Sequence, residues 1–154
     1  MKLLIFSDLH IHNYKQFNQG KKRLKNCIDV INKVYKIASQ TNCDGILFCG
    51  DLYDNGNPTI EVLDETIMVL QYNSHKYDML MFCISGNHDA HTLSPITALS
   101  FTCKKLDKVI CVDDVPKKLK NLKIYGIPYQ TNYNDFNQKL YNLINSMHHT
   151  EKAV

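Results

Sequence analysis

The sequence predicts an α/β fold built on a parallel sheet covered by helices. Three observations carry that prediction. Short apolar runs alternate with amphipathic stretches in the order strand, helix, strand, helix, strand. The intervening stretches are about 15–20 residues long, enough for the crossover that parallel pairing requires. Each apolar run ends on a cluster of Asp, His or Asn, and strand ends are where such folds place their chemistry.

Lys2–Ser7 reads as the first strand, and its continuous apolar run suits a strand covered on both faces. Asp8–Gly20 is a long polar loop. Lys21–Gln40 predicts a helix, because Leu24, Cys27, Ile28, Ile31, Val34, Tyr35 and Ala38 fall on one stripe. Thr41–Gly45 turns the chain into a second strand, Ile46–Cys49. A loop dense in Gly, Asn and Asp follows at Gly50–Asn57. Pro58 suits the first turn of a helix over Thr59–Tyr72, with Ile60, Leu63, Ile67 and Leu70 on one face. Met79–Ile84 is the third strand and ends on Gly86-Asn87-His88-Asp89. Beyond it the pattern changes. Ser94–Phe101 reads as a short helix. Val109–Val112 and Leu122–Tyr125 read as short strands of a second, less parallel sheet, separated by a basic turn with Pro116. Gly126-Ile127-Pro128-Tyr129 breaks that sheet. Tyr133–His148 closes as a helix with Phe136, Leu140, Leu143, Ile144 and Met147 on one stripe. Glu151–Val154 reads as the start of another strand.

A chain of 154 residues is one domain by the usual relation of length to domain size. It can bury roughly 68–70% of its extended-chain surface, so its core needs no staple. The apolar fraction of 44% and charged fraction of 21% are those of a globular protein. No apolar run approaches the ~18 residues of a membrane span. Met1-Lys2 precedes only four apolar residues, too few for a signal-peptide core. The expectation is an intracellular protein without a membrane partner, in the cytoplasm, or the host cytoplasm if the source is viral. The six cysteines have no CxxC spacing and read as small buried hydrophobes of a reducing compartment. Net charge is +3, with basic clusters at 21–25, 104–108 and 117–120. These fit either solvated surfaces or contact with an anion such as a nucleic acid backbone, and charge alone does not decide.

The polar clusters at the strand ends carry the chemistry. Asp8 and His10 flank Leu9; in extended backbone, residues two apart project to one side, where a carboxylate and an imidazole can share a cation. Asp51 follows Gly50, which permits a sharp turn, and its two oxygens can bridge two cations. Asn87 offers a neutral amide oxygen. His88 is adjacent, so one of the pair serves as ligand and the other faces the reactant. Asp8, His10, Asp51 and Asn87 form an O/N ligand set without thiolate, which favours Mn²⁺, Fe²⁺ or Zn²⁺. Two cations roughly 3.5–4 Å apart can clamp a phosphoryl group and activate a water. An uncoordinated His88 can then protonate the leaving oxygen or stabilise equatorial charge. Asp54 can fix its tautomer. Singly, each cluster also reads as an ordinary turn.

Asp8-Leu9-His10, Gly50-Asp51-Leu52-Tyr53-Asp54 and Gly86-Asn87-His88-Asp89, in that order, resemble the DxH, GDxxD and GNH(D/E) motifs of the calcineurin-like metallophosphoesterases. The resemblance implies an αββα sandwich with a two-metal centre, most simply two Mn²⁺. It assigns Asp8 and His10 to the first metal, Asp51 to the bridge, Asn87 to the second metal, and His88, oriented by Asp54, to the acid or charge-stabilising role. Within the family, Gly50–Asp54 is similar to the GDLFD of the SbcD-type DNA repair nucleases. The stretch Tyr125-Gly126-Ile127-Pro128-Tyr129 and the loop Asn13-Tyr14-Lys15-Gln16-Phe17 resemble segments of the same nucleases. Asn55-Gly56 stands where protein phosphatases carry Arg-Gly. The resemblance implies DNA as substrate and an SbcC-type ATPase as partner, and leaves the oligomeric state open.

The family's later GH and GHxH motifs do not follow, so residues 1–154 correspond to the N-terminal part of such a domain, incomplete on its C-terminal side. His148-His149 read as the end of a helix, where imidazolium is favourable, rather than as ligands. His12, His75 and His91 have no motif context and read as surface residues. Three functions compete: a metal-dependent DNA nuclease, a phosphoesterase for a small substrate, and an inactive or split fragment needing a second chain.

Overall fold

A computed structural model describes residues 1–14, 20–90, 96–113 and 115–151. Strands β1 (Leu3–Phe6), β2 (Gly45–Phe48), β3 (Met81–Cys83) and β4 (Val109–Cys111) form one sheet in sequence order, and every pairing is parallel. The register sets Phe6 beside Phe48, Phe48 beside Cys83 and Cys83 beside Cys111, so the strands end level. Three helices pack on the sheet: α1 (Gly20–Gln40), α2 (Ile60–Lys76) and α3 (Ala98–Cys103). Neighbouring parallel strands joined by right-handed crossovers put every helix on the same face. Leu4, Phe6, Ile46, Phe48, Met81 and Cys83 belong to that helix-side core. Leu3, Leu47, Phe82 and Ile110, one residue out of phase, belong to a smaller cluster on the other face.

Helix α1 buries the stripe its spacing predicts, with Leu24, Cys27, Ile31, Tyr35 and Ala38 all buried. Helix α2 does not. Ile60, expected on the buried face, is 84% exposed, and the buried positions are Val62, Thr66, Val69, Leu70, Asn73 and Ser74. Three of those are polar, which hid the stripe. Each is satisfied: Thr66 Oγ1 donates to the Val62 carbonyl at 2.6 Å, Asn73 Nδ2 to Asn32 Oδ1 at 2.7 Å, and Ser74 Oγ to the Gln71 carbonyl at 3.1 Å. Thr59 is the N-cap rather than a helical residue, its side chain accepting from the Val62 N–H. Thr97 caps α3 in the same way, accepting from the Ser100 N–H; residues 94 and 95 of the expected helix lie outside the described residues.

The later strands depart further from expectation. β4 joins the first sheet as a parallel strand instead of opening a second one. The segment expected as a basic turn is itself a strand, β5 (Lys117–Leu119), antiparallel to β6 (Leu122–Ile124). Its two lysines concealed a single inward residue, Leu119, which is buried against the second cluster with Val112 and Phe82. The hairpin thus begins a second β layer, so helices, sheet and hairpin stack in the order of the expected sandwich. The first strand is not covered on both faces: β1 is an edge strand and Ile5 is 62% exposed. Helix α4 (Tyr133–Glu151) includes Glu151, so that residue is helical and does not open a strand; residues 152–154 lie outside the described residues. Its stripe stands at the surface, with Phe136, Leu140 and Ile144 exposed. All six cysteines are free; Cys27, Cys83 and Cys103 are buried, whereas Cys49 is exposed. Among the described residues no helix is long and apolar enough to cross a membrane.

If β5 is a strand docked through Leu119, Leu119→Ala lowers unfolding stability by about 2–5 kcal/mol. Urea denaturation checks this; a change under ~0.5 kcal/mol, typical of an exposed turn position, would contradict the packing.

Candidate metal centre

Backbone pairing continues past the strand ends and builds the site. The Asp8 N–H donates to the Gly50 carbonyl at 3.0 Å, His10 N–H to Asp51 at 3.0 Å, and Ile11 N–H to Leu52 at 2.8 Å. Ile11 and Tyr53 form an isolated parallel bridge. The backbone here is not extended. Asp8, His10 and Asp51 adopt positive φ of 58°, 46° and 60°. Each such residue costs on the order of 1–3 kcal/mol, with Asp among the cheaper types. Backbone hydrogen bonds return about 0.5–1.5 kcal/mol apiece, so they barely balance the strain. The surplus comes from the buried anchors between the strained residues: Leu9, Ile11, Leu52 and Tyr53, none more than 7% exposed, contribute roughly 1.5–3 kcal/mol each. The anchors point into the core, and the polar residues between them project the other way.

The polar residues converge. His10 Nε2 lies 3.8 Å from Asp8 Oδ1, and His10 Nδ1 lies 3.6 Å from Asp54 Oδ1. Donor atoms of Asp8, His10 and Asp51 all fall within 4.8 Å of one another, as do those of His10, Asp54 and His88. The His10 and His88 rings meet edge to face at 4.7 Å. Asn87 stands exposed on the same turn as His88.

These residues fit a divalent cation. Two carboxylates and an imidazole are hard-to-borderline donors. His10 Nδ1 is a buried nitrogen without a hydrogen-bond partner, facing the Asp54 carboxylate. A cation on Nε2 would place the ring proton on Nδ1, toward that carboxylate, the arrangement that orients a metal-bound imidazole. Asp54 therefore serves two histidines. Its carboxylate faces His10, and its main-chain carbonyl accepts from His88 Nδ1 at 2.7 Å. A carbonyl only accepts, so Nδ1 carries the proton and Nε2 is left for a reactant. That bond, with the Asp51, Asp54 and Asp89 carboxylates, raises the His88 pKa above the usual imidazole value against the opposing effect of burial.

Asp89 is the residue whose role the motif does not disclose. It is fully buried and accepts three backbone N–H bonds: from Asp51 (2.9 Å) and Gly86 (2.9 Å) on Oδ2, and from Tyr53 (3.0 Å) on Oδ1. Burial raises its pKa, and the three N–H groups pull the other way. Asp51 Oδ1 in turn accepts from the His88 N–H at 2.9 Å. Gly86 is held so close that a Cβ there would lie 2.1 Å from Asp51 Oδ1. Asp113 steadies the end of β3, accepting from Ser85 N–H at 2.8 Å and Ser85 Oγ at 2.6 Å.

A family model for calcineurin-like phosphoesterases matches residues 1–150. The chain belongs to the calcineurin-like phosphoesterase family. Among curated proteins it is similar to DNA double-strand break repair protein Mre11 of Sulfolobus acidocaldarius, 28% identical over 91% of this chain and 37% of the relative. The Mre11 of Methanosarcina acetivorans is 28% identical over 82% of this chain and 20% of its own length. That of Saccharolobus solfataricus is 25% identical over 84% and 33%. The chain thus spans about a third or less of these relatives.

Outside the motifs, Tyr129 N–H donates to the Ser85 carbonyl at 3.0 Å, which brings Tyr125–Tyr129 beside the end of β3. Tyr14 is partly exposed, stacks on His12 at 4.5 Å and accepts from Asn55 Nδ2. His12 is therefore half-buried in a stack and not a plain surface residue. His75 is exposed and pairs with Asp107 at 3.0 Å. His91, Lys15, Gln16 and Phe17 lie outside the described residues, as do the side chains of His148 and His149.

Because the Asp54 carboxylate faces His10 while its carbonyl holds His88, Asp54→Ala separates the two functions. The expected outcome is a 10–100-fold weaker Mn²⁺ affinity by calorimetry, with the His88 Nδ1–H tautomer unchanged in ¹⁵N spectra. Wild-type affinity would contradict the His10 contact.

Proposed function

We propose that this chain is the N-terminal, ligand-bearing part of a metal-dependent phosphoesterase that hydrolyses phosphodiester bonds in DNA. One observation carries the reading: donor atoms of Asp8, His10 and Asp51 from two adjacent strand ends lie within 4.8 Å of one another, with His88 from a third strand end against His10. Asp8, His10 and Asp51 would hold a first cation, and Asp51 and Asn87 a second, with Mn²⁺ the preferred ion. Divalent cations at such a centre supply Lewis acidity to a phosphoryl oxygen and acidify a bound water.

The protein's own contribution is positional. Asp8, His10 and Asp51 are fixed by buried neighbours, so their geometry is set before substrate arrives. His88, its Nδ1–H engaged by the Asp54 carbonyl, presents Nε2 to the phosphoryl group. In its cationic form it donates a hydrogen bond to equatorial charge or a proton to the leaving oxygen. DNA as the substrate is supported by the repair function named for the Mre11 relatives and by the tyrosine-bearing stretch beside β3. An SbcC-type ATPase is the partner class that follows from the same likeness.

The test supplies Mn²⁺ and compares linear DNA with para-nitrophenyl phosphate and its bis ester, for the wild type and His88→Ala. DNA cleavage that falls by about 10²–10⁴-fold in the variant and stops on chelation with EDTA is the expected result. Turnover of the small esters alone would replace DNA with a small substrate. No turnover, with at most one Mn²⁺ bound, would make this chain a fragment completed by another.

A further inference from the structure

Asp51 and Asp89 grip each other's loops. Asp89 Oδ2 accepts the Asp51 N–H at 2.9 Å, and Asp51 Oδ1 accepts the N–H of His88, the residue next to Asp89, at 2.9 Å. Two further bonds close the ring, from Tyr53 N–H to Oδ1 and from Gly86 N–H to Oδ2 of Asp89. One carboxylate thus ties the backbone on both sides of Leu52 to the turn that carries Asn87 and His88. Among the described residues no cation pairs with Asp89, and three backbone N–H groups bind its buried carboxylate.

A ligand would be exposed toward the cation, and Asp89 is fully buried. A residue that merely filled space would not need three main-chain donors drawn from both ligand-bearing loops. We propose that Asp89 is a positioning residue: it fixes the separation of the Asp51 and Asn87 loops and, through Asp51's bond to the His88 N–H, the direction in which the Asp51 carboxylate points. The bond from the His88 N–H to Asp51 Oδ1 fixes the plane of the Asp51 carboxylate. Removing the Asp89 carboxylate frees the Asp51 backbone, and the Asp51 side chain swings with it, although the three hydrogen bonds that Asp89 accepts here come from main-chain N–H groups. Its effect on metal binding rests on the metal-centre reading above; its effect on the loops does not.

Amide hydrogen exchange of the metal-free chain, read by NMR, tests the clamp directly. In the wild type, the amides of Asp51, Tyr53, Gly86 and His88 exchange as one unit, with protection factors agreeing within about threefold. Asp89→Asn turns an acceptor oxygen into an NH₂ donor facing N–H groups. It lowers protection of the His88 amide at least about tenfold while Leu47 and Phe48 in β2 keep theirs. The His88 amide is the informative one, because its acceptor is Asp51 and not the mutated residue. In parallel, Mn²⁺ affinity falls 10–100-fold, whereas Asn73→Ala, a buried polar change on α2, leaves it unaltered. Unchanged His88 protection, loss spread equally into β2, or wild-type Mn²⁺ affinity in Asp89→Asn would each overturn the proposal. If Asp89→Asn does not fold, the wild-type amides decide, since four unrelated exchange rates refute a common clamp. A wild-type chain that takes up no Mn²⁺ removes the functional reading and leaves the exchange data to judge the clamp alone.

Discussion

Parallel pairing with level strand ends is the constraint on which the rest of the structure depends. An antiparallel sheet would send alternate strand ends to opposite edges, and the three motifs could not meet. Here β1, β2 and β3 all finish on one edge, and each strand delivers its motif there. The polar clusters at Asp8–His10, Asp51–Asp54 and Gly86–Asp89 then need only one residue's geometry each to face a shared space.

The same edge is where the backbone departs from ordinary conformations. Three proposed ligands sit at positive φ, and the residues beside them are among the most deeply buried in the protein. The two facts belong together. A strained loop persists only when its surroundings over-determine it, and here a hydrophobic residue follows each strained ligand. Tyr53 extends the anchorage through its hydroxyl, 2.6 Å from Thr102 Oγ1 on α3. Core packing and ligand geometry are therefore one system, and a core defect near Tyr53 reaches the site.

Much of this was legible in the residues. The strand–helix alternation, the stripe of α1 and the three clusters all have local signatures that survive without tertiary context. What was not legible depends on pairings made at a distance. Thr66, Asn73 and Ser74 look like a solvated face, and only their hydrogen-bonded burial identifies the inner side of α2. Lys117–Leu119 looks like a turn because its one inward residue is a single leucine. Asp8 and His10 were expected on an extended strand, yet they converge through left-handed backbone. Asp54 was expected to orient His88 by its side chain, but sequence cannot tell a carboxylate from a carbonyl contact. Asp89 was visible as a motif letter; that it binds two loops at once emerges only when their main chains are side by side.

The 2.1 Å that would separate a Cβ at Gly86 from Asp51 Oδ1 has an evolutionary meaning. The requirement runs one way: a Cβ at 86 would meet not only the Asp51 carboxylate but, at 2.6 Å, the Asp51 main-chain nitrogen, so glycine is required there whatever side chain stands at 51. Stepwise drift can therefore replace the carboxylate while the turn at Gly86 stays as it is, but cannot begin at Gly86 without moving the Asp51 backbone. Descendants that keep Asp51 should keep Gly86, whereas Gly86 can outlast Asp51, and a larger residue at position 86 would have to displace the backbone that carries the proposed ligand.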